Sequence, residues 1–282
     1  RDHLARFPRC IFAELARARI ESLTGKVAVV APPPTAIAPP DGTTLRSGLV
    51  GHWPLDGGST DMTSSTARDL SGNDNTGMLV RLSATAAPRL GKVGGALMFD
   101  GTNYVQTSFA GVSGSAARTI SLWLKTVQTS PLPGKNTSTV LAYGNARRCA
   151  NPGYFVIATN DRFGGSTNHR GITVDFPCHA AVTYDAAIYD DRWHHVVVAM
   201  PDAGTTLNIK IYIDGVLLNS ISAIGQGSLN TGSGTNVLIG YDAYYNRPGN
   251  TNGGFQGAIS DVRFYNRALS AQEVALLYST GN

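Results

Sequence analysis

From Gly48 onward the chain is a succession of short apolar runs, each stopped by Gly, Asn, Asp or Ser: "GLVGHWPLDG", "RDLSGNDNTGML", "GGALMFDGTNYVQTS", "RTISLWLKTV", "TVLAYGN", "GYFVIAT", "GITVDF", "AAVTYD", "RWHHVVVAM", "LNIKIYIDGVLLNSI", "NVLIGYD" and "GAISDVRFYNRALS". Runs of this length, alternating and punctuated, read as strands joined by tight turns. About a dozen of them cannot all be buried in one flat sheet, so two sheets must pack face to face. Within "IYIDGVLLNS" the dipeptide Asp214-Gly215 is a two-residue hairpin turn. The predicted class is therefore all-β, a two-sheet antiparallel sandwich.

Two helical segments interrupt that pattern. Residues 8–23 place Pro8 at a first helical position, followed by Ile11, Phe12, Leu15, Ala18 and Leu23 near helical spacing with arginines between them. The proline-rich stretch "APPPTAIAPPDGTT" that follows is an extended, stiff spacer. This divides the chain into an N-terminal amphipathic helix within 1–30, a linker at 31–47 and a domain at 48–282. The N-terminal helix packs against another protein or copies of itself, or lies back on its own sandwich. At the other end, Ser270 with Glu273 three residues later is a capping box, and Val274, Leu277 and Tyr278 supply the buried side of a short C-terminal helix.

The net charge of +4 is concentrated at the front: the first 30 residues hold six Lys and Arg against three carboxylates. The remainder is nearly neutral, which excludes the clustered basic face that phosphate backbones require. No run approaches the roughly 18–20 apolar residues of a membrane span, and no intact signal peptide is visible. Of three cysteines, Cys149 and Cys178 both lie in loop-like sequence flanking strands. A bridge between them would close a loop of about 30 residues and contribute roughly 3 kcal/mol; two free thiols are the other reading, and Cys10 is then unpaired.

Catalytic signatures are sparse. The three glutamates are Glu14, Glu21 and Glu273, the last of which the capping box explains. No two aspartates stand out as the pair, roughly 5–9.5 Å apart, that glycoside hydrolysis uses. There is no G-x-S-x-G elbow, phosphate loop or H-E-x-x-H. His194 and His195, being adjacent in a strand, point to opposite faces and cannot ligate one metal together.

The ordered set "GLVGHWPLDG", "DLSGNDNTG", "GGALMFDGTNYV", "TISLWLK", "DRWHHVVV", "IYIDGVLL", "LIGYD" and "GAISDVRFYNRALSAQEV" resembles the laminin-G-like, concanavalin A-like lectin/glucanase jelly roll over Gly48–Asn282. The resemblance implies that the first and last strands are sheet neighbours, with the terminal helix folded over the edge. It also implies a binding module, since the glutamate-rich strand motif of the glycosidases of this jelly roll is absent, and it makes a structural calcium near the strand ends an expectation. The candidate oxygen ligands are Asp56, Asp69, Asn73, Asn75, Asp100 and Asp261; alternatively these side chains simply make the turns.

For a ligand, the stretch Gly240–Gly254 clusters Tyr241, Tyr244 and Tyr245 with Asp242, Asn246 and Asn250, and "ATNDRFGGSTNHRG" offers a second polar loop. Aromatic faces beside amides and carboxylates match a pyranose, which has apolar faces and a hydroxyl rim. The expected function is a non-catalytic binding or adhesion module for a carbohydrate or glycoprotein, held by residues 1–30 on a larger extracellular, cell-surface or virion assembly. The alternative is a structural or decoration protein with no glycan ligand.

Overall fold

The computed structural model describes residues 41–82, 88, 90–127, 137–145, 153–161, 169–176, 179–183, 188–205, 208–219, 221–224, 227–242 and 252–281. The chain divides into two units, Arg1–Pro39 and Pro40–Asn282. The predicted N-terminal helix, most of the proline-rich linker and all three cysteines, with the Cys149–Cys178 pairing, lie outside the described residues.

In chain order the strands are β1 (Leu49–Trp53), β2 (Thr60–Asp61), β3 (Thr66–Ala67), β4 (Gly77–Val80), β5 (Leu97–Asp100), β6 (Tyr104–Thr107), β7 (Arg118–Lys125), β8 (Thr137–Gly144) and β9 (Tyr154–Asp161). They continue as β10 (His169–Phe176), β11 (His179–Thr183), β12 (His194–Met200), β13 (Lys210–Ile213), β14 (Val216–Leu217), β15 (Ile221–Ile224), β16 (Thr235–Ile239), β17 (Asn252–Gly254) and β18 (Gln256–Tyr265). One sheet has seven strands in the order β1-β18-β7-β12-β13-β14, with β5 also on β18. The other has eleven in the order β15-β11-β10-β9-β8-β16-β6-β4-β3-β2, with the short β17 running parallel to β8. All the other strand pairs are antiparallel.

The sheets meet in one core. Ile120, Leu122, Leu124, Val196, Val198, Val262 and Phe264 of the smaller sheet face Val105, Leu141, Tyr143, Phe155, Ile157, Ile172 and Ile239 of the larger. The expected pairing of first and last strands is present: β1 lies antiparallel to β18, with Leu49 opposite Tyr265 and Trp53 opposite Val262. Within β18, Ile259 and Val262 both face the core although three positions separate them. The extra residue is taken up at Asp261, whose φ of 50° forms a bulge where the register shifts against β7. The Asp214-Gly215 turn also forms as read, with φ of 52° and 78°, the two positive values a tight hairpin turn requires.

The C-terminal helix, Ala271–Thr280, has both capping-box bonds: Ser270 Oγ accepts from the Glu273 backbone N–H, and a Glu273 carboxylate oxygen accepts from the Ser270 N–H at 2.8 Å. Its position differs from the expected sheet edge. Val274 and Leu277 pack with Val197, Ala199, Tyr212, Tyr265 and Leu269 on the outer face of the smaller sheet. The reason is legible in "HHVVVAM" of β12: the run is apolar on both parities, so Val196, Val198 and Met200 fill the sandwich while Val197 and Ala199 need a second cover. Leu45 joins this second cluster, and Arg267 donates to the carbonyls of Thr44 and Ser47 at 2.8 Å each. Residues 44–47, inside the expected linker, are thus packed against the sandwich.

Arg118, at the start of β7, is completely buried. Its guanidinium donates to the carbonyls of Val112, Ser113, Gly114 and Ala116, to the Tyr143 hydroxyl and to Thr231 Oγ1. Every acceptor is neutral, so the cation is held by dipoles converging from β8, the 112–116 loop and the segment before β16. Burial pushes the Tyr143 phenol above its ordinary pKa, with Arg118 partly offsetting it. Replacing Arg118 with Met should leave several buried acceptors unpaired and cost about 3–5 kcal/mol. Thermal denaturation should then show a drop of roughly 10 °C for a domain of this size.

Candidate ligand-binding face

The larger sheet turns one face to the core and one outward. Residues directly opposite across a ladder share a face, and one such row crosses seven strands: Thr66, Met78, Gln106, Leu238, Ala142, Val156 and Asp175. The row is outward-facing, because its neighbours Leu79, Val105, Leu141 and Ile157 fill the core. Exposure along it is uneven. Leu238 is 3% exposed, and Ala142, Val156 and Ala158 are buried with Tyr154 in a cluster of their own. Met78, by contrast, is 64% exposed and Gln106 beside it is also exposed.

A second row runs from Val80 to Tyr104, both half-buried. Tyr104 stacks on Tyr241 with ring centroids 4.5 Å apart and planes 9° from parallel. Tyr241 also hydrogen-bonds the Arg81 side chain, and burial raises its phenol pKa against the lowering influence of that arginine. Next in the chain, Asp242 accepts the Tyr154 hydroxyl hydrogen. Thr66, Met78, Gln106 and Tyr104 thus form an open shelf on β3, β4 and β6, bounded by the Tyr241–Asp242 root of the following loop.

Tyr241 and Asp242, expected as ligand contacts, are buried at 6% and 3% exposure, Tyr241 against Tyr104 and Asp242 against the Tyr154 hydroxyl. Tyr244, Tyr245, Asn246 and Asn250 lie outside the described residues. The second polar loop connects the β9–β10 hairpin, where His169 pairs with Asp161. The shelf residues Met78, Tyr104 and Gln106 were not among the sequence candidates. Their signal was present: in "GMLV" and "YVQT" the buried positions Gly77, Leu79, Val105 and Thr107 leave Met78, Tyr104 and Gln106 on the other parity.

The six candidate calcium ligands do not form one group. Asp69 accepts the backbone N–H of His52 and Ser71 at 2.8 Å and of Asn75 at 2.9 Å, and also the Ser71 hydroxyl. Burial works against its charge, but these bonds outweigh it and hold the carboxyl below its ordinary pKa. Asn73 bonds Ser71, and Asn75 donates to the Val50 carbonyl while its own carbonyl accepts the Trp53 indole N–H at 2.8 Å. Asp56 accepts from Gly58 and Ser59, and Asp100 from Thr102 and Asn103. Asp261 is paired with His52 at 2.7 Å and Arg263 at 3.0 Å. Calcium takes six to eight oxygens, whereas both carboxylate oxygens of Asp69 and one each of Asp56, Asp100 and Asp261 already accept N–H or O–H hydrogens. Among the described residues no three His, Cys, Asp or Glu gather as a metal site. The six do not gather as a single site, and the alternative reading, side chains that build turns, accounts for the bonds of Asp56, Asp69 and Asp100.

Comparison with known proteins adds a family to this geometry. A family model described as the concanavalin A-like lectin/glucanases superfamily matches residues 99–275. No curated protein matches the sequence. Among solved structures, the chain is similar to domain 4 of AbnA, an extracellular arabinanase of Geobacillus stearothermophilus solved in complex with arabinotriose, at 21% identity and TM-score 0.55, covering 82% of this chain and 98% of that one. It is also similar to the Trypanosoma rangeli sialidase, at 18% identity and TM-score 0.51, covering 95% of this chain but 38% of that one. A third similarity, to a structure of botulinum neurotoxin type C concerned with its interaction with two ganglioside molecules, has 14% identity and TM-score 0.50, covering 86% of this chain and 53% of that one. At these identities the likeness is one of fold.

A saturating chelator is expected to leave the melting temperature unchanged, whereas Asp69→Ala, which strips the acceptor from three backbone N–H groups, should cost about 2–4 kcal/mol. Calorimetry of both samples checks the two outcomes together.

Proposed function

The chain belongs to the concanavalin A-like lectin/glucanases superfamily, and from that premise we propose that it is a non-catalytic binding module that takes a carbohydrate or glycoprotein glycan on the open shelf of its larger sheet. The observation that carries this reading is the contrast along one face: the outward row is buried from β16 to β9 and open at Met78 and Gln106. An exposed thioether and a half-buried tyrosine offer apolar contact to the C–H face of a sugar ring, and the Gln106 amide can both donate to and accept from its hydroxyls. The loop following Asp242, with Tyr244, Tyr245, Asn246 and Asn250, would supply the remaining contacts from the rim.

The chemistry favours binding over hydrolysis. Asp56, Asp69, Asp100 and Asp261 serve N–H groups or ion pairs, and Glu273 is held by its cap and by Arg267 at 2.6 Å. A carboxylate whose charged form is stabilised in this way is a poor general acid. Attachment through residues 1–30 to a larger extracellular or cell-surface assembly belongs to the same proposal, with the basic N-terminal segment as the contact.

A shallow shelf sets a weak intrinsic affinity. A hexose of about 12 heavy atoms at roughly −0.3 kcal/mol per atom gives about −4 kcal/mol, a dissociation constant near 1 mM, so detection needs multivalent display. A glycan array probed with the full chain should return a selective set of oligosaccharides. Met78→Ala with Gln106→Ala should weaken the best of them roughly tenfold by calorimetric titration, and Tyr244→Ala with Tyr245→Ala should abolish binding, both with melting temperatures nearly unchanged. A blank array would favour a purely structural role, and cleavage of the bound oligosaccharide would make the chain a hydrolase.

A further inference from the structure

On the opposite side of the sandwich, under the C-terminal helix, lies a polar cluster that ligand binding does not use. Trp123 of β7 and His195 of β12 are directly opposite in the ladder and face the helix. His195 is 1% exposed, its ring 5.0 Å from Trp123 and 6.1 Å from Tyr278, which closes over both and stacks on Trp123 at 5.6 Å. Two glycines make this closure possible. A Cβ at Gly281 would come within 2.8 Å of the indole nitrogen, and one at Gly215 within 3.3 Å of the Tyr278 ring. His195 Nε2 bonds Ser121 Oγ at 2.8 Å, but His195 Nδ1 and Trp123 Nε1 are buried with no hydrogen-bond partner among the described residues.

The adjacent histidine is placed in the opposite way. His194 Nδ1 meets Asp214 at 2.8 Å and Nε2 meets Asp190 at 3.0 Å, so both ring nitrogens face carboxylates. Asp214 also accepts the His195 backbone N–H at 2.9 Å, tying the Asp214-Gly215 turn to the start of β12. One histidine clamps the turn on which Tyr278 rests; the other is sealed beneath Tyr278.

We propose that this pair makes the C-terminal helix an acid-released latch: a proton taken up by His195 between Trp123 and Tyr278 lifts the helix from the sheet, while the His194 clamp keeps the hairpin seated. The groups facing His195 are Asp214 on the turn, Asp261 and Arg263 on β18, and Lys92, whose ammonium lies 5.3 Å from the Trp123 ring centre. Burial dominates them and lowers the His195 pKa from 6.5 to about 4, with Asp261 and Asp214 opposing the shift and Arg263 adding to it. Because the open form binds the proton more readily than the closed one, opening becomes easier as pH falls from 6.5 toward 4. Burial also opposes charge on His194, but Asp190 and Asp214 outweigh it and raise its pKa. Its stabilising contribution is therefore fully present below pH 6.5 and is lost only as pH rises through that raised value. In acid the two histidines thus act on different elements, one released and one held. Release uncovers Val197, Ala199, Tyr212 and Tyr265.

Amide hydrogen exchange of the full chain at pH 7 and pH 4, corrected for intrinsic rates, tests this directly. The protection of residues 274–280 should fall on the order of 100-fold between the two, while that of β18 falls much less; in His195→Phe and in His195→Gln the helix should lose no more protection than β18. The proposal is overturned if helix and β18 lose protection in step in the wild type, or if both variants lose as much as the wild type. A wild-type His195 imidazole that titrates near pH 6.5 by NMR overturns it equally, and this readout needs no variant to fold.

Discussion

The pairing of β1 with β18 is the constraint on which the rest of the structure depends. It joins residues more than 200 positions apart in sequence, with His52 Nε2 also bonded to the Asp261 carboxylate across the same pair. Until it forms, β18 has only β5 and β7 beside it and Trp53 has no place in the core. On its other side β18 carries the Asp261 bulge against β7, which allows Ile259, Val262 and Phe264 all to face inward. Closing so long a loop costs entropy before any contact rewards it, so this sandwich is expected to fold slowly relative to a helical bundle of its size.

A second consequence is the distribution of covers. The smaller sheet has two apolar faces because β7 and β12 are buried on both parities, and the C-terminal helix and Leu45 close the outer one. The larger sheet is also covered on its outer side from β16 to β9 but stands open at β4 and β6. The two sides therefore differ: one is sealed by the C-terminal helix, and the other is open at β4 and β6 among the described residues.

Much of the fold was legible from local pattern. Alternation located the strands, the Asp214-Gly215 turn and the Ser270–Glu273 capping box follow from single-residue stereochemistry, and the closing β1–β18 pair followed from family resemblance. What was not legible depended on three-dimensional neighbours. The run "HHVVVAM" shows that β12 needs cover on both faces, but which element supplies the outer cover depends on β12 lying between β7 and β13 in its sheet. Asp69 reads equally as a metal ligand or a turn maker until the three N–H groups around it are seen. Tyr241 has the composition of a sugar contact, yet it is buried against Tyr104, while Met78 and Gln106, ordinary strand residues in sequence, are left open.

The clamp of Arg267 on the carbonyls of Thr44 and Ser47 has a mechanical meaning. Tension on the chain ahead of Asp41 enters the sandwich beside the point where β18 ends, at the Leu49–Tyr265 end of the closing pair. A strand pulled from that end peels from its neighbour one bond at a time instead of shearing along its whole length. The guanidinium and the buried Leu45 stand ahead of that first bond, so they bear the load before the sheet does. A module tethered by its leading end would owe its resistance to force to Leu45 and Arg267, neither of which lies in a strand.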